Sequence, residues 1–469
     1  MLQCKEEMIT MSINFKDEVF KRKEEIIADL TKIIQINSEL TTFDPNRKQA
    51  PFGEGIKEAL DTMLAIGKRD GFDTVNLDGY AGHIEYGKQK EFVGMIGHLD
   101  VVPAGNDWTY APYGAEIHDG KMYGRGTEDD KGPTIAAYYA LKILKDLNVP
   151  LSKRVKLILG TDEETSWRGV RHYFSLYPEA PVSGFIPDAD FPLIYAEKGI
   201  SRILVTGKLD SKELISVTGG FRDNMVPDSA SATLNATRDF AASFNQFLKK
   251  KNYLGSVKEE NNQVTVKVVG KSAHGSTPQF GENAIDRLFE FLIEQKVKSP
   301  VVSLVEKFLI HDIHGTKLDV LHHDEEMGYL TINFGVIKTE EENFVISLNL
   351  RYPNGVDFDQ VVSKLTEQFK EFKATVKVDS HQKLLYKDPK SPLVETLMNV
   401  YKKNTNDKDA VPINIGGGTF ARAMPNCVAF GPHFLDKPTF IHQKNEFIDI
   451  NDFLLATVIY TEALYELAK

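Results

Sequence analysis

The chain has 469 residues, of which 42% are hydrophobic and 26% charged, and carries a formal net charge of −11. That length exceeds one small core and predicts two domains of an ordinary globular protein. The acidic balance, with no basic tail or run, excludes a nucleic-acid or anionic-membrane surface, and no apolar segment reaches the ~20 residues that span a bilayer. Cys4 and Cys427 are the only cysteines, too few for a disulfide framework and in keeping with a reducing cytoplasm. The opening residues are charged and lack the apolar core of a signal peptide, and Met11 is a second candidate start.

From Phe15 to Ile36 the spacing predicts an amphipathic helix that buries Phe20, Ile26, Ile27, Leu30, Ile33 and Ile34. A second helix is expected from Ile56 to Lys68. The apolar run from Phe92 to Gly97 reads as a buried strand, and it breaks into His98-Leu99-Asp100. His98 and Asp100 fall on one side of an extended segment, since side chains alternate with period two. After Gly124-Arg125-Gly126-Thr127-Glu128-Asp129-Asp130-Lys131-Gly132 comes a helix from Thr134 to Leu147, with Pro133 suited to its first turn. Val155 to Leu159 is a further buried strand, running into Gly160-Thr161-Asp162-Glu163-Glu164-Thr165, and a helix from Trp167 to Tyr177 follows. Phe185-Ile186-Pro187 then leads to Asp188-Ala189-Asp190. Strands that end in carboxylate or imidazole, separated by helices, follow the βαβ grammar of a mostly parallel sheet with a site along one edge.

Near Gly199 the texture changes. Alternating strands (Ile203 to Val205, Val264 to Val269, Phe344 to Leu350) are interleaved with helices from Asp239 to Lys250 and from Asn283 to Gln295. The first texture returns in the tail, with a helix from Leu393 to Lys403, a strand toward Ile415, a strand from Val428 to Phe430 and a final helix from Asn451 to Leu467. The expected fold is therefore α/β: a mostly parallel-sheet catalytic domain with helices on both faces, in two parts at 12–198 and 385–469, with an inserted α+β lid domain at 199–384.

Four successive strand ends would place His98 and Asp100, Asp129 and Asp130, Glu163 and Glu164, and Asp188 and Asp190 in one cleft, joined by His442. Without cations that gathering is electrostatically costly, so a divalent metal is the economical explanation. Adjacent Glu163 and Glu164 point different ways from a turn, so one can bind metal while the other takes a proton from water.

These residues carry a resemblance. His98-Leu99-Asp100, Gly124 to Pro133 and Thr161-Asp162-Glu163-Glu164 resemble the co-catalytic metallopeptidases of the aminoacylase and carnosinase type, most of all the peptidase V-like dipeptidases. Ser272-Ala273-His274-Gly275, Leu350-Arg351-Tyr352-Pro353, Gly416-Gly417-Gly418-Thr419 and His442-Gln443-Lys444-Asn445-Glu446 continue it in the same order. The resemblance implies two divalent ions, Zn2+ or Mn2+. One would be held by His98, Asp129 and Asp188, the other by Asp129, Glu164 and His442, with a cis peptide after the bridging Asp129. It further implies that Glu163 is the general base acting on a metal-bridged water, and that Asp100 orients His98, with direct ligation as its alternative. His274 would be the oxyanion donor, Arg351 the clamp on the substrate carboxylate, and Asn224, Gly416, Gly417, Gly418 and Thr419 further substrate contacts. The expected protein is a cytoplasmic dipeptidase acting on a small peptide, with no nucleic-acid or membrane partner. It is expected to be a monomer because a long insert presents its own His274.

Blander readings compete. Asp190 reads as a turn or capping residue. Gly416-Gly417-Gly418 lacks the Lys-Ser/Thr pair of a phosphate loop. His311, His314, His322 and His323 read as solvated, and Cys427 as a small buried residue. Rival functions are an N-acyl amino acid amidohydrolase of the same family, a dinuclear phosphoesterase, and a non-catalytic peptide- or metal-binding protein.

Overall fold

The structure is a computed structural model that describes residues 13–469, so Cys4 and Met11 lie outside the described residues. It divides into two units. The first comprises the chain up to Tyr195 with Lys387–Ile413 and Thr419–Lys469; the second comprises Ala196–Tyr386 with Asn414–Gly418. The short segment Asn414–Gly418, expected with the tail, thus groups with the inserted region.

In the first unit the strands lie in the spatial order Asp73–Leu77, Ala81–Tyr86, Arg154–Gly160, Phe92–His98, Ser183–Ile186 and Cys427–Ala429, followed by Ile194 and Tyr195, the first-unit residues of the strand Ile194–Glu197. Arg154–Gly160, Phe92–His98, Ser183–Ile186 and Cys427–Ala429 run parallel, flanked on both sides by antiparallel pairs. Every residue of Phe92–His98 is buried, as expected for a parallel strand covered on both faces. Helices Lys131–Asp146 and Ile450–Ala468 pack on it, and Glu54–Arg69 packs on the antiparallel pair. Gly97 sets that close packing: a Cβ there would meet Thr134 Oγ1 at 2.2 Å and Asp130 Oδ2 at 2.7 Å. Among the described residues no helix is long and apolar enough to cross a membrane.

The first helix departs from its expected form. It breaks into Phe15–Lys21 and Lys23–Ile34, because Arg22 leaves helical geometry (ψ 8°) and turns its guanidinium back onto the Glu18 carbonyl and carboxylate at 2.9 and 2.8 Å. The break shifts the phase of the first segment. Phe15 and Val19 are buried, whereas Phe20, expected inside, is 42% exposed. Cys427 is fully buried in its strand, where burial pushes its thiol up.

His83, on Ala81–Tyr86, is buried with Nδ1 3.0 Å from the Tyr173 hydroxyl. Burial, reinforced by nearby Lys156, pulls its imidazole down to about 4. The unfolded chain takes up this proton near pH 6.5 and the folded chain does not until about 4, so the contribution is complete above 6.5 and is lost as pH falls to 4. We expect His83→Gln to lose less stability than wild type between pH 7 and 4.5, by about 2 kcal/mol, in urea unfolding at the two pH values.

The second unit carries an eight-stranded sheet, ordered Gly255–Glu260, Gln263–Val269, Ser229–Asn235, Leu214–Gly219, Thr331–Glu340, Asn343–Tyr352, Gly199–Lys208 and Thr375–Gln382, antiparallel throughout. Gly199–Lys208 alternates buried and more exposed positions, the period of a sheet covered on one face. Helices Phe240–Lys251, Ala284–Glu294 and Phe358–Phe369 begin at Asp239, Asn283 and Asp357, whose side chains accept from the first-turn N–H groups. Phe240, Phe244, Phe289 and Phe291 fill the core. Of the histidines expected in solvent, His311 is exposed but 2.6 Å from Glu290, and half-buried His314 bonds the Leu330 carbonyl at 2.9 Å.

Candidate metal centre

The strand Phe92–His98 delivers the His98 imidazole, fully buried, to its carboxyl end. Its Nε2 lies 2.9 Å from Asp129 Oδ1 and 3.8 Å from Asp188 Oδ2. The other oxygen of the same aspartate, Oδ2, lies 3.0 Å from His442 Nε2, and that nitrogen is 3.1 Å from Glu164 Oε1. Asp129 therefore turns one oxygen toward His98 and Asp188 and the other toward His442 and Glu164. Ligand atoms of His98, Asp129 and Glu164 all lie within 4.8 Å of one another.

Burial dominates the electrostatics of the cluster. Burial raises Glu163 well above the usual carboxylate range; Asp188 and Glu164 push the same way, and only His98 opposes them appreciably. Burial and the Asp129 charge lift Asp188 to about 7, and the same two causes raise Glu164. Asp129 alone goes down, because hydrogen bonds from His442 and His98 outweigh its burial. Those bonds raise His442 to about 10, through Asp129 and then Glu164. Burial opposes protonation of His98, but Asp100 and Asp129 hold it well above its usual value. Buried carboxylates together with the imidazoles of His98 and His442 form a donor set that fits a divalent metal ion.

The supporting residues hold this set in place. Asp100 accepts the N–H groups of Glu163 and Glu164, one on each oxygen at 3.1 Å, and so fixes the turn that bears both glutamates. Its main-chain carbonyl, 2.9 Å from His98 Nδ1, is a nearer partner for that ring than its carboxylate at 3.5 Å. Asp130 accepts the His98 N–H at 2.8 Å and the Thr134 hydroxyl at 3.0 Å, and the Asp129–Asp130 peptide is cis. Asp190 pairs with His433 Nδ1 at 2.7 Å, away from the ligand role.

Two contributors escaped the sequence reading. Glu446, fully buried, accepts from the N–H groups of Gly126 and Glu128 at 2.9 Å and of Asp129 at 3.4 Å, and from Arg125 at 2.5 Å. It ties the loop of Asp129 to the segment of His442. Its only sequence signal is its place four residues after His442. The other is Trp167, whose indole N–H donates to Glu163 Oε1 at 3.2 Å. A tryptophan four residues on, one of two in the chain, gives no reason by itself to look there.

The second unit brings together most of the expected substrate residues. Gly275 N–H donates to the Asn224 carbonyl at 2.7 Å. His274 Nδ1 lies 2.6 Å from Ser276 Oγ and accepts the Ser276 N–H at 3.3 Å, which leaves Nε2 as the protonated nitrogen. Burial, then Arg351, lowers the His274 imidazole and so favours its neutral form. Ser276 abuts Gly416, where a Cβ would come within 2.8 Å of it. Arg351 donates to the Gly416 carbonyl at 2.9 Å and to Asn349 Oδ1 at 2.7 Å; Asn349 in turn donates to Asp223 at 3.0 Å. A cavity of about 760 Å³ is lined by Arg222, Asp223, Asn224, Asn349 and Arg351. Thr419 belongs to the first unit, where its hydroxyl accepts the Ala421 N–H at 3.1 Å and caps the turn Phe420–Arg422.

The profile of peptidase family M20/M25/M40 matches residues 94–466. A Bacillus subtilis (strain 168) protein named "Putative dipeptidase YtjP" is 42% identical over 472 residues, covering 97% of this chain and 100% of that one. A Staphylococcus aureus (strain USA300) protein with the same description is 39% identical over 468 residues, covering 97% and 99%. Human carnosine dipeptidase 1 has a similar fold, with a TM-score of 0.56 at 15% identity over 97% of this chain and 98% of that chain.

Proposed function

The chain belongs to peptidase family M20/M25/M40, and we propose that it is a metal-dependent dipeptidase holding two divalent ions, Zn2+ or Mn2+. The observation that carries the reading is Asp129, whose two oxygens face separate imidazole–carboxylate pairs. His98, Asp129 and Asp188 would hold one ion, and Asp129, Glu164 and His442 the other. When bound, such ions polarise a carbonyl and bring water into the range where it loses a proton near neutrality.

The remaining work falls to the chain's own groups. Glu163, buried beside the ligands and paired with no imidazole, takes the proton of the attacking water at its carboxylate and returns it to the leaving amine. Asp100 keeps that carboxylate in register through the two N–H groups it accepts. His274, whose Nδ1 accepts the Ser276 N–H and so leaves Nε2 to donate, is the proposed donor to the tetrahedral oxyanion. Arg351 is the proposed partner of the substrate carboxylate, with Asn224, Gly416, Gly417, Gly418 and Thr419 as further contacts. The relatives' description as dipeptidases supports the substrate class. We further read the protein as a cytoplasmic monomer, on its two cysteines and its own copy of His274.

The test is hydrolysis by metal-stripped protein with Zn2+ or Mn2+ restored, on a panel of dipeptides, a tripeptide, an N-acetyl amino acid and a phosphate monoester. Metal-dependent turnover confined to dipeptides is the expected result. Turnover of the acylated amino acid alone moves the assignment to an amidohydrolase with the same centre.

A further inference from the structure

We propose that Trp167 is a positioning residue for the general base, holding the Glu163 carboxylate in its working orientation through the indole N–H; this rests on the reading of Glu163 given above. The contact is 3.2 Å, from Trp167 Nε1 to Glu163 Oε1. Backbone geometry aims the ring there at a cost: Trp167 sits at φ +56°, a region that a bulky residue rarely enters. The turn that imposes this is closed by Asp162, whose carbonyl accepts the Trp167 N–H at 2.7 Å and whose carboxylate accepts the Arg168 N–H at 2.9 Å.

The indole is braced on its other side. Its ring packs edge-to-face on fully buried Phe420, with centroids 5.0 Å apart, and Phe420 packs the same way on the His98 ring at 6.0 Å. Gly160 lets Phe420 come this close, since a Cβ there would reach its ring at 2.9 Å. A glutamate side chain has several rotatable bonds, and a base that must meet one proton benefits from losing that freedom before substrate arrives. Trp167 supplies a donor that does not titrate, on a ring held between the base and Phe420. Asp100 fixes the backbone of Glu163, and Trp167 fixes its carboxylate.

The test removes the N–H and keeps the ring. Trp167→Phe, and 3-benzothienylalanine at the same position, are measured for kcat, KM and bound metal on the best dipeptide, each alone and combined with Glu163→Gln. We expect kcat to fall about 10- to 100-fold, the scale of one hydrogen bond to a charged group, with KM and bound metal unchanged. In the Glu163→Gln background the same changes should cost nothing further. An unchanged kcat, a parallel loss of metal, or an equal loss in the Glu163→Gln background overturns the proposal.

A second readout does not depend on turnover. The chain has two tryptophans, hence two indole N–H resonances. The one missing in Trp167→Phe should move upfield in Glu163→Ala. If it stays in place the proposal fails, whatever the substrate proves to be. If it moves while Glu163→Gln remains fully active, the contact stands and the base assignment is what fails.

Discussion

Glu163→Gln should lower kcat by about 10²–10⁴-fold, the usual worth of a positioned general base, while KM and bound metal stay at wild-type values. The separation of effects is the informative part. Glu163 offers its carboxylate to Trp167, whereas Glu164 faces His442 at 3.1 Å. Glutamine preserves the shape and still accepts from the indole, so the fold around Asp100 is undisturbed. It cannot take a proton. Glu164→Gln, one residue away, should instead lose metal together with activity, because its oxygen belongs to the group that converges on Asp129. Steady-state kinetics with metal analysis of both variants distinguishes the roles; equal metal loss in the two would remove the division of labour between these neighbours.

The second large effect is on stability. Stripping the metal from wild type should lower its thermal midpoint, and Asp129→Ala should abolish both metal retention and that dependence. An ion that binds only the folded state contributes about 4 kcal/mol when present at a thousand times its dissociation constant. The metal-free centre is poorly balanced: Asp188 is lifted to about 7 and Glu163 well above its usual range by burial among other carboxylates. Asp188→Asn removes one of those charges. It should therefore raise the midpoint of the stripped protein while reducing the gain on adding metal back. Differential scanning fluorimetry with and without chelator reads both arms, and a midpoint indifferent to metal would exclude a centre of this kind.

Much of the candidate centre was legible because His98, Glu163–Glu164 and Asp188 each follow closely on an apolar run that forms a strand. His98 and Glu163–Glu164 are local in this sense, and the strand that carries each is buried as its sequence predicts. The split of Asp129 between two imidazoles was not legible locally, since it depends on where His442 lies in space; it was anticipated only through resemblance. Trp167 and Glu446 were missed for the same reason. Each acts through a single polar contact, or a set of main-chain contacts, that no periodicity encodes. The break at Arg22 went unseen because Arg22 is a good helix former in isolation, and its bonds to Glu18 and its ion pair with Asp146 are not encoded in the periodicity. The grouping of Asn414–Gly418 with the second unit follows from contacts such as that between Arg351 and Gly416, remote in sequence.

The long reach of Glu446 bears on how the protein is made. It bonds to residues 317 to 320 positions earlier in the chain, and His442 meets Glu164 across 278. Translation delivers the amino-terminal strands first, yet one of the two parallel neighbours of Ser183–Ile186 is Cys427–Ala429, which emerges only near the end. A chain still on the ribosome therefore carries an open strand edge and an unfinished centre, and contacts of such high order close slowly. The cluster around Asp129 is thus complete only once the segment of His442 has emerged.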